Sequence, residues 1–210
     1  MRTSPANRTF LSALRQRTGL VLASAKRNAL RLRDDCSGLG AVEFALLAPL
    51  LLMLYISAFE VTQGFSASKR TARAAGVIAD LVSQEEEVTP TTLSGMTVIA
   101  NSIFAPMSTS QMSIVISGIA VDSTGKSTVS WSWTQDNSNP YKVGSTVNIP
   151  SDMAGPSSFL IRSEVTYPYK ILSFMPGLLP SQTQDLTLYR QYYFRQRTGD
   201  TLPCTGCATK

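Results

Sequence analysis

Between Gly38 and Phe59 the chain offers little but hydrocarbon, and this stretch restricts the fold more than any other. Of the 19 residues from Ala41 to Phe59, only Glu43, Pro49 and Ser57 are out of place in an apolar medium. As a helix, such a run rises roughly 28 Å, close to one bilayer core. Composition alone supports a plain membrane anchor over residues 39–60 and nothing sharper.

Glu43 sharpens the reading. A carboxylate in a membrane helix costs about 2.5–3.5 kcal/mol at mid-bilayer, less near the interface, and usually marks function. Phe44 follows it, and Gly38 stands five places before it. A glycine, four residues, then Glu-Phe opening an apolar helix resembles the processing site of type IV pilin precursors. More closely, Gly40-Ala41-Val42-Glu43-Phe44-Ala45-Leu46 followed by Pro49-Leu50-Leu51 resembles the TadE-like pseudopilins of the Tad (Flp) pilus machinery. The likeness runs roughly from Gly38 to Val82. It implies that a membrane-embedded aspartyl prepilin peptidase cuts after the glycine and leaves the glutamate as the fifth mature residue. Cutting after Gly38 makes Leu39 the first residue and Glu43 the fifth, whereas cutting after Gly40 would make Glu43 the third. Register therefore selects Gly38 and Leu39 as the processing site. The resemblance assigns Glu43 and Phe44 to recognition and helix-to-helix assembly. Stacked helices would bury a free N-terminal amine in apolar surroundings, where an unpaired charge is costly. A carboxylate one turn along a neighbouring subunit would compensate it. The alternative is that Glu43 merely sits at headgroup depth, near the positive end of its helix.

Charge sets the expected topology. Residues 1–38 carry eight Lys/Arg against Asp34 and Asp35, whereas from residue 61 onward eleven basic residues meet ten acidic ones. Basic residues flanking a span mark its cytoplasmic end. The first 38 residues read as a basic cytoplasmic leader, with Phe10, Leu11 and Leu14 as one membrane-touching turn, although a transit peptide shares that composition. The bulk of the chain is then extracytoplasmic, beyond a bacterial inner membrane crossed once. The basic pI of about 9.3 is a topology signal, and neither nucleic acid nor nucleotide is expected as a partner.

Beyond the span, Phe65, Ser68, Ala72, Ala75, Ala79 and Val82 recur at helical spacing, so residues 61–84 should extend the helix along a narrow face of small residues. Glu85, Glu86 and Glu87 oppose the helix dipole and should end it. Thr89-Pro90 reads as an N-cap and first-turn proline of a second, short helix. Leu93, Met96, Ile99 or Ala100, and Ile103 form its face, and Pro106 stops it. From Met112 the pattern turns to strands: Met112–Ser117, then Val129, Trp131 and Trp133 alternating with polar residues, then Phe159–Tyr169 and Leu186–Phe194. Gln135–Ser158 reads as a long surface loop, and an apolar, proline-broken segment (Ile171, Leu172, Phe174, Met175, Leu178, Leu179) joins the last two strands. The expected class is α+β: a long N-terminal transmembrane helix continuing into a soluble domain (residues 85–200) with a short helix and an antiparallel sheet of about four strands, as in pilins.

Chemistry-bearing motifs are few. Ala120–Ser127 fits a loosened phosphate loop, but Thr128–Trp133 alternates like a strand, so no helix N-terminus follows to hold a phosphate. A hairpin turn is the better account, and an ATPase using Lys126 is disfavoured. Cys204 and Cys207 form a CxxC in the tail (residues 201–210), with neither a βαβ context nor two further zinc ligands. A small disulfide loop fits better, with Cys36 across the membrane. The chain has no histidine, which removes the usual base of a nucleophilic triad and the commonest metal ligand. No cofactor and no metal are expected. Tyr167, Tyr169, Tyr189, Tyr192 and Tyr193 cluster near Arg190, Arg195 and Arg197, as cross-strand packing would arrange them.

The reading is therefore a non-enzymatic, membrane-anchored minor pseudopilin. The resemblance implies that it assists assembly of a pilus used for surface adhesion, with the prepilin peptidase and other Tad pilins and pseudopilins as partners. The alternative is an uncleaved, single-span, membrane-tethered binding module whose 135–158 loop and aromatic strands meet a partner.

Overall fold

The computed structural model describes residues 38–171 and 185–207. The proposed leader up to residue 37, including Cys36, and the linker residues Leu172 to Leu179 lie outside the described residues. The chain divides into two compact units, Met1–Ile56 and Ser57–Lys210, and helix α1 (Leu39–Val82) passes from one into the other.

In the first unit, α1 is apolar on every side. None of its most apolar 18-residue window is buried within the chain, and it is long and apolar enough to cross a membrane. Phe44, Leu46 and Leu54 are each about two-thirds exposed or more. Side chains of this kind around the whole circumference suit a lipid surrounding better than water. Pro49 sits inside the helix, where it removes the hydrogen bond to the Ala45 carbonyl.

The second unit is α+β. It contains the rest of α1, helix α2 (Pro90–Phe104), and strands β1 (Ser113–Val121), β2 (Ser127–Thr134), β3 (Ser158–Lys170) and β4 (Asp185–Arg195). The strands form one antiparallel sheet in the order β2-β1-β3-β4. One sheet face packs with α1 and α2 around a core of Ala74, Ile78, Val82, Leu93, Phe104, Ile116, Trp131, Trp133 and Ile161. The expected N-cap is in place: the Thr89 hydroxyl accepts from the Thr92 amide, and Pro90 opens α2. Its buried face is Leu93, Met96, Ala100 and Phe104, so Ala100 rather than Ile99 faces the core and Phe104 takes the place expected of Ile103.

The buried stripe of α1 keeps Ala75, Ala79 and Val82 of the expected face but departs from it before them, at Phe65, Ser68 and Ala72. Ala67, Thr71, Ala74, Ala75, Ile78, Ala79 and Val82 are buried, whereas Phe65 is 61% exposed. Ala, Ser, Thr and Gly occupy several adjacent stripes, so small size does not select one. The large side chain of Ile78 and the self-satisfied hydroxyl of Thr71, which donates to the Ala67 carbonyl at 2.8 Å, decide it. The end of α1 is capped from far away in sequence. The Arg197 amide donates to Ser83 O, the Gln196 amide side chain to Glu85 O, and the Thr198 hydroxyl to Gln84 O. These bonds satisfy carbonyls that a helix end leaves open, beside three glutamates that do nothing for the dipole.

Gln135–Ser158 is not a free surface loop. The Val129 amide donates to Ser145 O, Gly144 N to Val129 O, and Val147 N to Ser127 O, so part of the segment pairs along the outer edge of β2. Val147, Ile149 and Met153 then pack on Ile119, Val121 and Leu160, a second small core on the sheet face away from the helices. Val147-Asn148-Ile149 was its one apolar signal.

Candidate functional site

Three groups of residues could carry function, and the structure places them differently. The first opens α1. Gly38 directly precedes the helix, Leu39 is its first residue, and Glu43 follows four positions later. Residues four apart share a helix face, so a chain beginning at Leu39 would carry its amine and the Glu43 carboxylate one turn apart on one side. Gly38 is exposed with no atom near its Cα that a side chain would meet. Glu43 and Phe44 are exposed as well.

The second group is the C-terminal segment. Cys204 and Cys207 are joined as a disulfide with Cα atoms 5.6 Å apart. The segment that holds them is structural. Leu202 is fully buried, its carbonyl accepts from Trp131 Nε1 at 2.7 Å, and Val88 exchanges backbone hydrogen bonds with Pro203 and Thr205. The residues before α2 are thus strapped to the tail.

The third group went unnoticed in the sequence. On the sheet face away from the helices, Arg162 and Glu164 lie on β3 with side chains 7% and 8% exposed, Nε and Oε2 3.3 Å apart. The Tyr189 hydroxyl donates to Glu164 Oε1 at 2.5 Å, and the Arg162 guanidinium stands 4.3 Å over the Tyr141 ring. Burial first, and then the Glu164 carboxylate, push the Tyr189 hydroxyl above its ordinary pKa and act the same way on Tyr141. Arg-x-Glu places two charges on one strand face, and that spacing was the available signal. The group clips the 135–158 segment to the sheet through Tyr141. Tyr193 lies opposite Arg162 on β4 and packs on the second core, whereas Tyr167 packs on Phe104 with ring centroids 4.7 Å apart and the Tyr169 hydroxyl donates to Glu60.

The Asp122–Lys126 loop is a hairpin turn between β1 and β2. Asp122 Oδ1 accepts from the Thr124 hydroxyl and from the Lys126 and Thr124 amides, which lowers the Asp122 pKa, and Gly125 supplies the positive φ of +84°. Among the described residues no cluster of three or more His, Cys, Asp or Glu could hold a metal.

Comparison with protein families bears on the first of these groups. Residues 38–80 match the TadE-like protein family. This TadE-like segment begins at Gly38, contains Leu39, Glu43 and Phe44, and ends within the part of α1 that packs on the sheet. It covers about a fifth of the 210 residues. Neither curated proteins nor solved structures yield a match.

Proposed function

We propose that this chain is a membrane-anchored minor pseudopilin that assists assembly of a Tad-type pilus. Its role is structural, with no catalytic step of its own. The observation that carries the reading is the TadE-like match over residues 38–80, coincident with a helix whose most apolar stretch is unburied and whose fifth residue is Glu43. The anchor crosses the inner membrane once, with residues 1–38 cytoplasmic and the α+β unit outside. The prepilin peptidase removes the leader after Gly38. The new Leu39 amine then finds a carboxylate, Glu43 of its own or an adjacent helix, as helices stack with other Tad pilins and pseudopilins. Two opposite charges that meet in apolar surroundings relieve a desolvation cost that neither could bear alone.

The N-terminus and intact mass of the membrane-extracted protein test this directly, with and without the peptidase. The expected result is a chain beginning at Leu39 only when the peptidase is present. A chain beginning at Met1 in both samples overturns the proposal and leaves the tethered binding module. Glu43→Ala should still be cut at Gly38 yet fail to co-purify with the pilus. Replacing Gly38 with a large residue should abolish the cut itself.

A further inference from the structure

The apolar run that opens α1 ends at Phe59, and Glu60 is the first charged residue after it. At this level β3 finishes against the helix. The Tyr169 hydroxyl donates to Glu60 Oε2 at 3.0 Å, and the Tyr169 ring lies 3.6 Å from where a side chain on Gly64 would begin. Beside this contact is a groove of about 590 Å³, with Phe59 and Met107 in its apolar lining, a size usual for ligand clefts. Its polar lining holds one acid, Glu60, one base, Lys170, and the Ser108 and Ser110 hydroxyls, 3.3 Å apart. Lys170 is exposed, and although Asp185 faces it in the β3–β4 register, no ion pair closes between them. Among the described residues neither Lys170 nor Glu60 Oε1 has a polar partner. One groove thus keeps an open negative group and an open positive one.

We propose that this groove holds the headgroup of a phospholipid that carries a primary ammonium beside its phosphate, as phosphatidylethanolamine does. Depth selects a lipid. Past Phe59 the groove's next residues on α1, Glu60 and Gln63, lie roughly 2 and 6 Å further along the helix. The headgroup layer is about 5–8 Å deep, so a span that ends with the apolar run sets this groove level with headgroups. Charge selects which one. The Glu60 carboxylate accepts N–H bonds from an ammonium, a charge-assisted pairing. The Lys170 ammonium and the two serine hydroxyls donate to the phosphate. An anionic headgroup such as phosphatidylglycerol meets Lys170 but offers Glu60 only repulsion, and choline brings a cation with no N–H to donate. Phe59 and Met107 give the acyl chains an apolar wall. The inference requires only that α1 spans a membrane, in either orientation. It does not depend on cleavage of the leader.

Native mass spectrometry of the full chain in neutral detergent tests the site, with phosphatidylethanolamine, phosphatidylglycerol, phosphatidylcholine or soluble phosphoethanolamine as titrant. The expected result is one retained phosphatidylethanolamine, bound at least about tenfold tighter than either other lipid, the factor one hydrogen bond to a charged group supplies. E60Q removes the acid and should invert the preference toward phosphatidylglycerol, a gain that loss of folding cannot imitate. Y169F, which removes the hydroxyl but keeps the carboxylate, should retain the parent's preference. K170Q, at an exposed side chain, should weaken all three lipids about fivefold, the contribution of one cation near lipid phosphates. K142Q, elsewhere in the unit, should bind as the parent does. Lack of preference for phosphatidylethanolamine, a preference that survives in E60Q, or parent-like binding by K170Q overturns the proposal. Phosphoethanolamine binding as tightly as the lipid also overturns it, in favour of a soluble zwitterion. A photo-crosslinker placed at Gln111 should capture lipid in membranes; capture of protein instead, from this chain or another, overturns the lipid assignment. A chain that still begins at Met1 refutes the pseudopilin reading while leaving this result intact.

Discussion

Arg162 and Glu164 show how a buried ion pair behaves as a unit. Removing one partner leaves the other charged and dehydrated, at a cost of about 3–5 kcal/mol, whereas replacing both with apolar residues of similar volume is often neutral. Glu164→Ala should therefore lower unfolding free energy by about that amount in denaturant titration. Arg162→Met combined with Glu164→Leu should recover most of it. Tyr169 offers a second test at this scale. Its hydroxyl donates to Glu60 at 3.0 Å, and burial first, then that carboxylate, push its pKa up to about 12. A hydroxyl with a pKa near 10 when unfolded and about 12 when folded holds its proton more firmly in the native state. Its contribution is complete below about pH 10 and is lost as pH rises through about 12. Stability measured across that alkaline window should fall, and fall less steeply in Tyr169→Phe.

At the scale of elements, close approach and cross-chain strapping decide what patterning leaves open. Gly118 lies where the β1–β2 register shifts, opposite Trp131. A Cβ there would overlap the Trp131 indole and the Phe159 ring, both of them buried. Gly118→Ala should cost about 1–3 kcal/mol, the usual range for overpacking a filled core, read as a lower denaturation midpoint. The Cys204–Cys207 disulfide closes a loop of few residues, and loop-closure entropy puts its worth at about 2 kcal/mol. Replacing both cysteines by serine should destabilise by about that much, and should loosen the segment before α2 that Val88 ties to the tail, as hydrogen exchange at Val88 and Thr205 would report. Alternation in β2 and the Thr89-Pro90 cap were legible because they are local, set by side-chain spacing and one or two hydrogen bonds. The first half of the buried stripe of α1 was not, although Ala75, Ala79 and Val82 were read correctly. Several stripes of small residues compete along residues 65–82, and only the sheet they meet selects one.

For the whole molecule, the division at residues 56 and 57 predicts different solvents for the two parts. Among the described residues, both hydrophobic clusters and all four strands lie within 57–210. Expressed alone, that fragment should be soluble and unfold in one cooperative step by circular dichroism, whereas the full chain should require detergent. The sequence by itself determined a helix long and apolar enough to cross a membrane and the α+β class. Each of these rests on residues adjacent in the chain or one turn apart, where hydrocarbon content and periodicity act directly. Tertiary structure alone decided that the 135–158 segment covers the second sheet face, that the tail is built into the core beneath Trp131, and that Tyr141 and Tyr189 meet the Arg162–Glu164 pair. It also assembled the groove that Glu60 and Lys170 share. Those features join residues tens of positions apart, and their energy comes from desolvation and from backbone groups that must find partners, which no local pattern records.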